Sequence, residues 1–128
     1  MKTTVKENVE RVCRAAKAAA AEVARADAAR KNAALAGMSK GLRGRSAWLR
    51  KENRKDMEAG KAKGLSPAML DRLLLTDARI RQMADGIEEV IALPDPVGEV
   101  LRMRRGPNGL WVGRMRIPLG VIGIIYES

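Results

Sequence analysis

The side chains that carry out most enzyme chemistry are scarce in this sequence. Its 128 residues include no histidine and one cysteine, Cys13. Without histidine there is no Ser-His-Asp triad, no imidazole base near neutral pH and no histidine-ligated metal. A single cysteine can form neither an intramolecular disulfide nor a cysteine-rich zinc site. The sequence therefore predicts no catalytic residue and no metal site, and it argues against a self-contained hydrolase or zinc enzyme.

Cys13 itself gives little reason to expect reactivity. It lies beside an apolar stripe at helical spacing, formed by Val5, Val9, Val12, Ala16 and Val23. No histidine or helix N-terminus is near it to stabilise a thiolate. We interpret Cys13 as a small buried hydrophobic residue.

Two other patterns could bind phosphate. Arginines cluster at positions 102, 104, 105, 114 and 116 and could form a basic face for nucleic acid or an acyl phosphate, although a solvated or inter-subunit face is the commoner meaning. Gly120 and Gly123 lack the spacing and the following helix of a dinucleotide-binding loop, so we interpret them as close-packing positions in a strand.

The net charge of +10 raises the alternative of a basic helical module that binds nucleic acid or takes part in assembly. The excess lies mainly in residues 1–56, where Trp48 could stack on a base. Acidic residues interleave with the basic ones at helical pair spacing, and no known nucleic-acid-binding motif is present, which disfavours a nucleic acid partner. No secretory signal or run of about 18 apolar residues appears, so we expect a cytoplasmic protein without a membrane partner.

The pattern of the chain predicts five helices, followed by strands. The helices are expected from Val5 to Val23, from an Asp27 cap through Leu42, from a Ser46 cap towards Gly60, from Pro67 to Leu74, and from a Thr76 cap to a stop before Pro94. The C-terminal half of the second helix is weakened by three glycines.

Extended segments follow Pro96. In residues 100–104 the side chains alternate in type as they do in a strand, and residues 110–117 resume an extended pattern after a Gly-Pro-Asn-Gly turn. Together these segments predict a hairpin. Residues 120–126 form an unbroken β-branched run, typical of a strand that is covered on both faces in a parallel sheet. A parallel partner needs a crossover of a dozen or more residues, and the sequence ends at Ser128. We therefore expect the chain to be the N-terminal part of a larger α/β protein.

Four ordered blocks between Lys51 and Glu127 resemble the N-terminal region of γ-glutamyl phosphate reductase, also called glutamate-5-semialdehyde dehydrogenase, of the aldehyde dehydrogenase superfamily. The blocks are ENRKD at 52–56, GLSPAMLDRL at 64–73, LPDPVG at 93–98 and RIPLGVIGIIYE at 116–127. Residues 12–36 resemble the opening helices of this family more loosely.

The resemblance implies an α/β fold of aldehyde dehydrogenase type, of which only the N-terminal part is present. We divide it into a helical segment at 1–98, a β-hairpin at 99–117, and the first strand of a truncated cofactor-binding domain at 118–128. The implied reaction is the NADPH-dependent reduction of L-glutamyl 5-phosphate to glutamate 5-semialdehyde, with release of phosphate, in proline biosynthesis.

The resemblance also implies where a cofactor would lie. Ile125, Tyr126 and Glu127 match the strand end that runs beside the nicotinamide ribose, although the commoner role of such residues is a core position at Ile125 and closure of the strand by its neighbours. The catalytic cysteine, the rest of the cofactor domain and the oligomerisation hairpin would lie in a missing C-terminal portion. We therefore expect this fragment to be inactive alone and the complete enzyme to be a homo-oligomer.

Overall fold

A computed structural model describes residues 4–125 of the chain. Within them it contains five helices and a two-stranded antiparallel sheet. The elements, in order, are α1 (Val5–Val23), α2 (Ala28–Gly44), α3 (Ser46–Ala62), α4 (Pro67–Leu73), α5 (Asp77–Ala92), β1 (Val100–Arg105) and β2 (Trp111–Met115). The predicted order of helices followed by a hairpin is confirmed.

Local capping explains why α1 begins at Val5. The Thr4 hydroxyl accepts a hydrogen bond from the Glu7 amide at 3.2 Å, and the Glu7 carboxylate accepts one from the Thr4 amide at 2.8 Å. This reciprocal capping box satisfies two amide groups that the helix itself leaves without partners. The hydrogen bonds from Thr4 also hold the pKa of Glu7 below its ordinary value.

The starts of α4 and α5 follow the same principle. Ser66 caps α4 by accepting from the Met69 amide at 3.3 Å, and Pro67 occupies the first helical position. Thr76 caps α5 by accepting from the Arg79 amide at 3.1 Å. The predicted Thr76 cap is confirmed, and α4 begins at Pro67 as predicted.

Two details of the helix prediction differ from the structure. The helix α2 continues to Gly44 despite its glycines. Ser46 is not the cap of α3, because Arg45 holds that position and makes no side-chain capping bond. The Ser46 hydroxyl instead donates to Oδ1 of Asp77 at 2.6 Å, so a residue with good capping chemistry is used for a contact between helices.

The chain separates into two compact units, one made of residues up to Ala28 together with those from Asp95 onward, and the other of Ala29–Pro94. In the second unit α3 packs against both α4 and α5. Among the described residues, the buried apolar side chains are Ile80 and Ala84 of α5. Apolar residues recur along α5 at helical spacing, but this stripe is buried only at Ile80 and Ala84, since Met83 and Val90 are exposed.

A polar side chain joins the helices of this unit. Asn53 of α3 is 5% exposed. Its amide nitrogen donates to the Leu73 carbonyl oxygen at 2.9 Å, and its amide oxygen accepts from the Leu75 amide at 2.7 Å. Both backbone groups lie where α4 ends, so Asn53 fixes the turn that leads from α4 to α5. We refer to this pair of bonds as the Asn53 clasp.

The first unit contains α1 and the hairpin. No residue of α1 is buried, and Cys13 is exposed. The interpretation of Cys13 as a buried hydrophobic residue is therefore wrong, because the described residues do not cover this helix. The apolar stripe of α1 is likewise exposed at Val5, Val9, Val12 and Val23.

The pairing of the hairpin sorts its side chains onto two faces. Arg102 lies opposite Arg114, and Arg104 lies opposite Val112, which places three arginines on one face. A register shift between Val100 and Arg102 marks an irregularity at the start of β1. The other face carries Val100, Met103, Arg105, Trp111, Gly113 and Met115, which makes it mostly apolar.

The predicted strand after the hairpin is not confirmed. Residues 116–125 belong to no helix or strand. Because a parallel strand is defined by its partner, the parallel-sheet assignment stays a prediction, as does the division of the chain at residues 98 and 117.

We expect Asn53→Ala to lower the free energy of unfolding by about 1–3 kcal/mol. The substitution leaves the Leu73 carbonyl and the Leu75 amide without their partner in a part-buried position. Urea unfolding of the chain measures the change, with Asn8→Ala on exposed α1 as the control, for which we expect less than about 0.5 kcal/mol. Equal effects of the two substitutions would contradict the role assigned to the clasp.

A second prediction compares two helical glycines. A Cβ atom at Gly37 would meet nothing within 4 Å, so Gly37→Ala should raise the unfolding free energy by about 0.5–1 kcal/mol through helix propensity. At Gly60 the added atom would lie 3.0 Å from Cδ1 of Leu65 and 3.3 Å from side-chain atoms of Leu70 and Leu73. Gly60→Ala should therefore give no increase in the unfolding free energy, or should lower it. A clear stabilisation by Gly60→Ala in the same unfolding assay would show that these leucines move without cost.

Candidate functional site

The residues proposed for cofactor contact lie at the C-terminal end of the chain. Ile125 is 99% exposed and lies in no strand. Tyr126 and Glu127 lie outside the described residues. The structure therefore brings no other described group against Ile125, and the cofactor contact stays a prediction.

A short hydrogen-bonded frame positions the segment that leads to Ile125. Beyond the end of β2, the Gly98 amide donates to the Arg116 carbonyl oxygen at 3.0 Å, and the Arg116 amide donates to the Glu99 carbonyl oxygen at 2.9 Å. The guanidinium Nε of Arg116 also pairs with Oε2 of Glu99 at 2.9 Å. These three contacts hold Arg116 next to the loop before β1, and Gly120 then turns the chain with φ +87°.

Past this frame the chain is apolar and uncovered. Leu119 is 88% exposed, Ile124 is 80% exposed, and Val121 and Ile122 are also exposed. A contiguous apolar surface of this kind typically marks a site of interaction with other protein. The apolar residue types of this segment support a role in contact with another protein surface. No contact with other described residues adds to that support.

The second unit contains a charged cluster on α2 and α5. The Glu88 carboxylate accepts from the Ser39 hydroxyl at 2.6 Å and from the Arg43 guanidinium at 3.0 Å. Arg43 also pairs with Asp85 at 2.6 Å. The hydrogen bond from Ser39, and then that from Arg43, lowers the pKa of Glu88, while the bonds to Asp85 and Glu88 raise the pKa of Arg43.

A similar contact joins α3 to the start of α5. Asp77 accepts from the Ser46 hydroxyl and, through Oδ2, pairs with Nη1 of Arg50 at 3.0 Å. Its position in the first turn of α5 also places a negative charge at the positive end of the helix dipole. Each acid in these clusters has a basic or hydroxyl partner on another helix, so we assign the clusters to helix packing rather than to catalysis.

The described residues hold no group of three or more histidine, cysteine, aspartate or glutamate side chains placed to bind a metal ion. No helix within residues 4–125 has the length and apolar character needed to cross a membrane.

Sequence reasoning missed Asn53 and the Ser39–Glu88 pair. Asn53 belongs to the ENRKD block, in which the sequence shows only the family resemblance and no contact. A polar residue within an otherwise exposed, charged helix gives no periodic signal. Ser39 and Glu88 are 49 residues apart, so no local pattern connects them.

Comparison with known proteins gives the chain a context. No family model matches it. It is 54% identical over 125 residues to a protein of Geotalea daltonii and 54% identical over 125 residues to one of Geobacter metallireducens. In both cases the match covers 98% of this chain and 30% of the relative. The chain therefore spans about 30% of the length of the curated relatives that it matches.

A solved structure agrees with these matches. A crystal structure from Thermotoga maritima at 2.00 Å resolution has a TM-score of 0.77 and 34% sequence identity. The alignment covers 80% of this chain and 25% of that one. The chain thus resembles the N-terminal part of a reductase, in both sequence and fold. All three proteins bear the name gamma-glutamyl phosphate reductase, so the resemblance found in the four sequence blocks is confirmed.

The Glu88 cluster predicts a pH dependence of stability. The pKa of Glu88 lies below its ordinary value of 4.5 in the folded chain, so folding favours the ionised form. The stabilisation is therefore present above pH 4.5 and is lost as the pH falls through the folded-state pKa. We expect Glu88→Gln to lower the melting temperature at pH 7 and the difference from the unsubstituted chain to shrink below pH 4.5.

Glu89→Gln is the matched control, since Glu89 is the exposed neighbour of Glu88 on α5. It should change the melting temperature little at either pH. A Glu88→Gln difference that stayed constant from pH 7 to pH 3 would show that the loss is one of packing and not of charge.

Proposed function

We propose that this region forms the N-terminal part of an NADPH-dependent reductase that converts L-glutamyl 5-phosphate to L-glutamate 5-semialdehyde in proline biosynthesis. The observation that carries the proposal is the 54% identity over 125 residues, which extends through 98% of the chain. The match extends through nearly the whole chain, so the proposal accounts for the helices, the hairpin and the apolar segment together. The comparisons give no support to a nucleic-acid-binding or assembly module.

In this proposal the helices and the hairpin precede an α/β domain of aldehyde dehydrogenase type. Residues 118–128 would form the first strand of its parallel sheet. The exposed apolar side chains from Leu119 to Ile125 support this, because a β-branched run with no polar face suits a strand covered on both faces. The covering elements would come from residues outside this sequence, which we also expect to complete a cytoplasmic homo-oligomer.

The cofactor contact that we propose is made by Ile125, Tyr126 and Glu127. Ligands of open parallel sheets bind at the carboxyl ends of strands, which is where these residues would lie. The full exposure of Ile125 leaves this end of the segment open to a neighbouring group and so fits this role. NADPH, when bound, supplies the hydride. The contribution of this chain would be to orient the cofactor through the strand end.

The remaining chemistry needs groups that residues 4–125 do not assemble. Reduction of an acyl phosphate in this superfamily requires a thiolate nucleophile and donors for the oxyanion. Cys13 is exposed on α1, and the sequence contains no histidine that could activate its thiol. We therefore propose that the chain alone has no turnover.

The test joins this chain to the part of the Geotalea daltonii reductase that follows its matching region. We expect no NADPH oxidation with L-glutamyl 5-phosphate by the 128-residue chain alone, and turnover by the chimera. Cys13→Ser in the chimera should leave the rate unchanged, because Cys13 takes no part in the reaction. A folded but inactive chimera would contradict the proposed function.

The cofactor residues are tested in the same chimera. Glu127→Ala and Tyr126→Ala should raise the KM for NADPH by about tenfold if each removes one cofactor contact of about 1.4 kcal/mol. The KM for L-glutamyl 5-phosphate serves as the internal comparison and should change less. Equal changes in the two KM values, or none in either, would contradict a cofactor contact at this strand end.

A further inference from the structure

The arginines of the hairpin divide into two groups. Arg116 is paired with Glu99 at 2.9 Å, and Arg105 lies on the apolar face of the ribbon. Arg102, Arg104 and Arg114 share the opposite face and form no ion pair with any residue between positions 4 and 125. We call these three side chains the arginine face. The sequence pattern left open one basic face with all five arginines, and the observed register places Arg105 on the opposite face.

The pairing within the arginine face is unfavourable on its own. Arg102 lies directly opposite Arg114, and like charges at directly opposed positions destabilise an antiparallel pair. The nearest position on the same face is Arg104, opposite Val112, which adds a third positive charge without a compensating acid. A bound anion would remove this repulsion.

The shape of the surface also suits a small ligand. Arg102, Arg104, Val112, Gly113 and Arg114 line an open depression of about 420 Å³ that contains no acidic residue. A side chain at Gly113 would overlap the Met103 sulfur and come within 2.9 Å of the Arg102 carbonyl oxygen. Glycine therefore lets the two strands run close together and brings the arginines of β1 and β2 side by side.

We propose that the arginine face binds a phosphate group. The planar guanidinium presents paired N–H donors that match the oxygens of phosphate and carries a charge that is fixed at all physiological pH values. Three such groups on one face can bind one dianion, whereas a carboxylate would neutralise only one of them. The proposal does not rest on the reductase reaction, because it concerns binding alone.

The test is an NMR titration of the ¹⁵N-labelled 128-residue chain, followed through the backbone amides of β1 and β2 and the arginine Nε–H groups. The probes are inorganic phosphate, adenosine monophosphate and sodium chloride at equal ionic strength. We expect saturable shifts at Arg102, Arg104 and Arg114 with the two phosphate compounds and not with chloride. Equal affinity for both would indicate recognition of a free phosphate group, and tighter binding of the nucleotide would indicate a phosphate ester.

Three variants complete the experiment. Arg114→Gln and Arg102→Gln each remove one charge-assisted contact and should weaken phosphate binding by about tenfold or more. Arg105→Gln removes the same charge from the other face and should leave the affinity unchanged. Cross-strand contacts in the NMR spectra show whether each variant keeps its hairpin. Shifts that do not saturate, or that respond equally to chloride, or an Arg105→Gln loss as large as that of Arg114→Gln, would overturn the proposal.

Discussion

The two hydrogen bonds of Asn53 are the interaction on which the helical unit depends. This amide lies on α3, and it binds a carbonyl and an amide on either side of the α4 end. With Ile80 and Ala84 as the buried apolar residues among those described, hydrophobic burial alone gives little to fix the angles between helices. Directional polar contacts take over part of that role, and the Ser39–Glu88 and Ser46–Asp77 pairs act in the same way between other helices.

Few apolar side chains are buried because α1 and the hairpin leave their apolar surfaces exposed. Helix α1 has a complete capping box and a regular valine stripe, and such a stripe is typical of a helix that packs against other elements. None of its residues is buried, however. The hairpin has an apolar face that is equally exposed. The chain spans about 30% of the length of its curated relatives, and contiguous exposed apolar surfaces of this kind are typical of interaction sites.

The local elements could be predicted from the sequence because their signals are local. Thr4, Ser66 and Thr76 each precede a helix by one residue, and the Gly-Pro-Asn-Gly turn marks the hairpin. Burial could not be predicted in the same way, since it depends on neighbours that the pattern does not identify. Cys13 is the clear case, because an apolar stripe predicts a covered face only where something is present to cover it. For the site at Ile125 the residue pattern and the resemblance gave a location, and the described residues supply no partner that would test it.

The helical unit from Ala29 to Pro94 is continuous in the chain, and the side-chain hydrogen bonds between its helices join residues between 8 and 59 positions apart. Such a unit can close as soon as α5 has been synthesised, while everything after Pro94 is still being added at about 5–20 residues per second. The hairpin and the apolar segment beyond it are then added after the helical unit has closed. The order of synthesis thus keeps the most aggregation-prone part of the chain absent while the helical unit forms its own contacts.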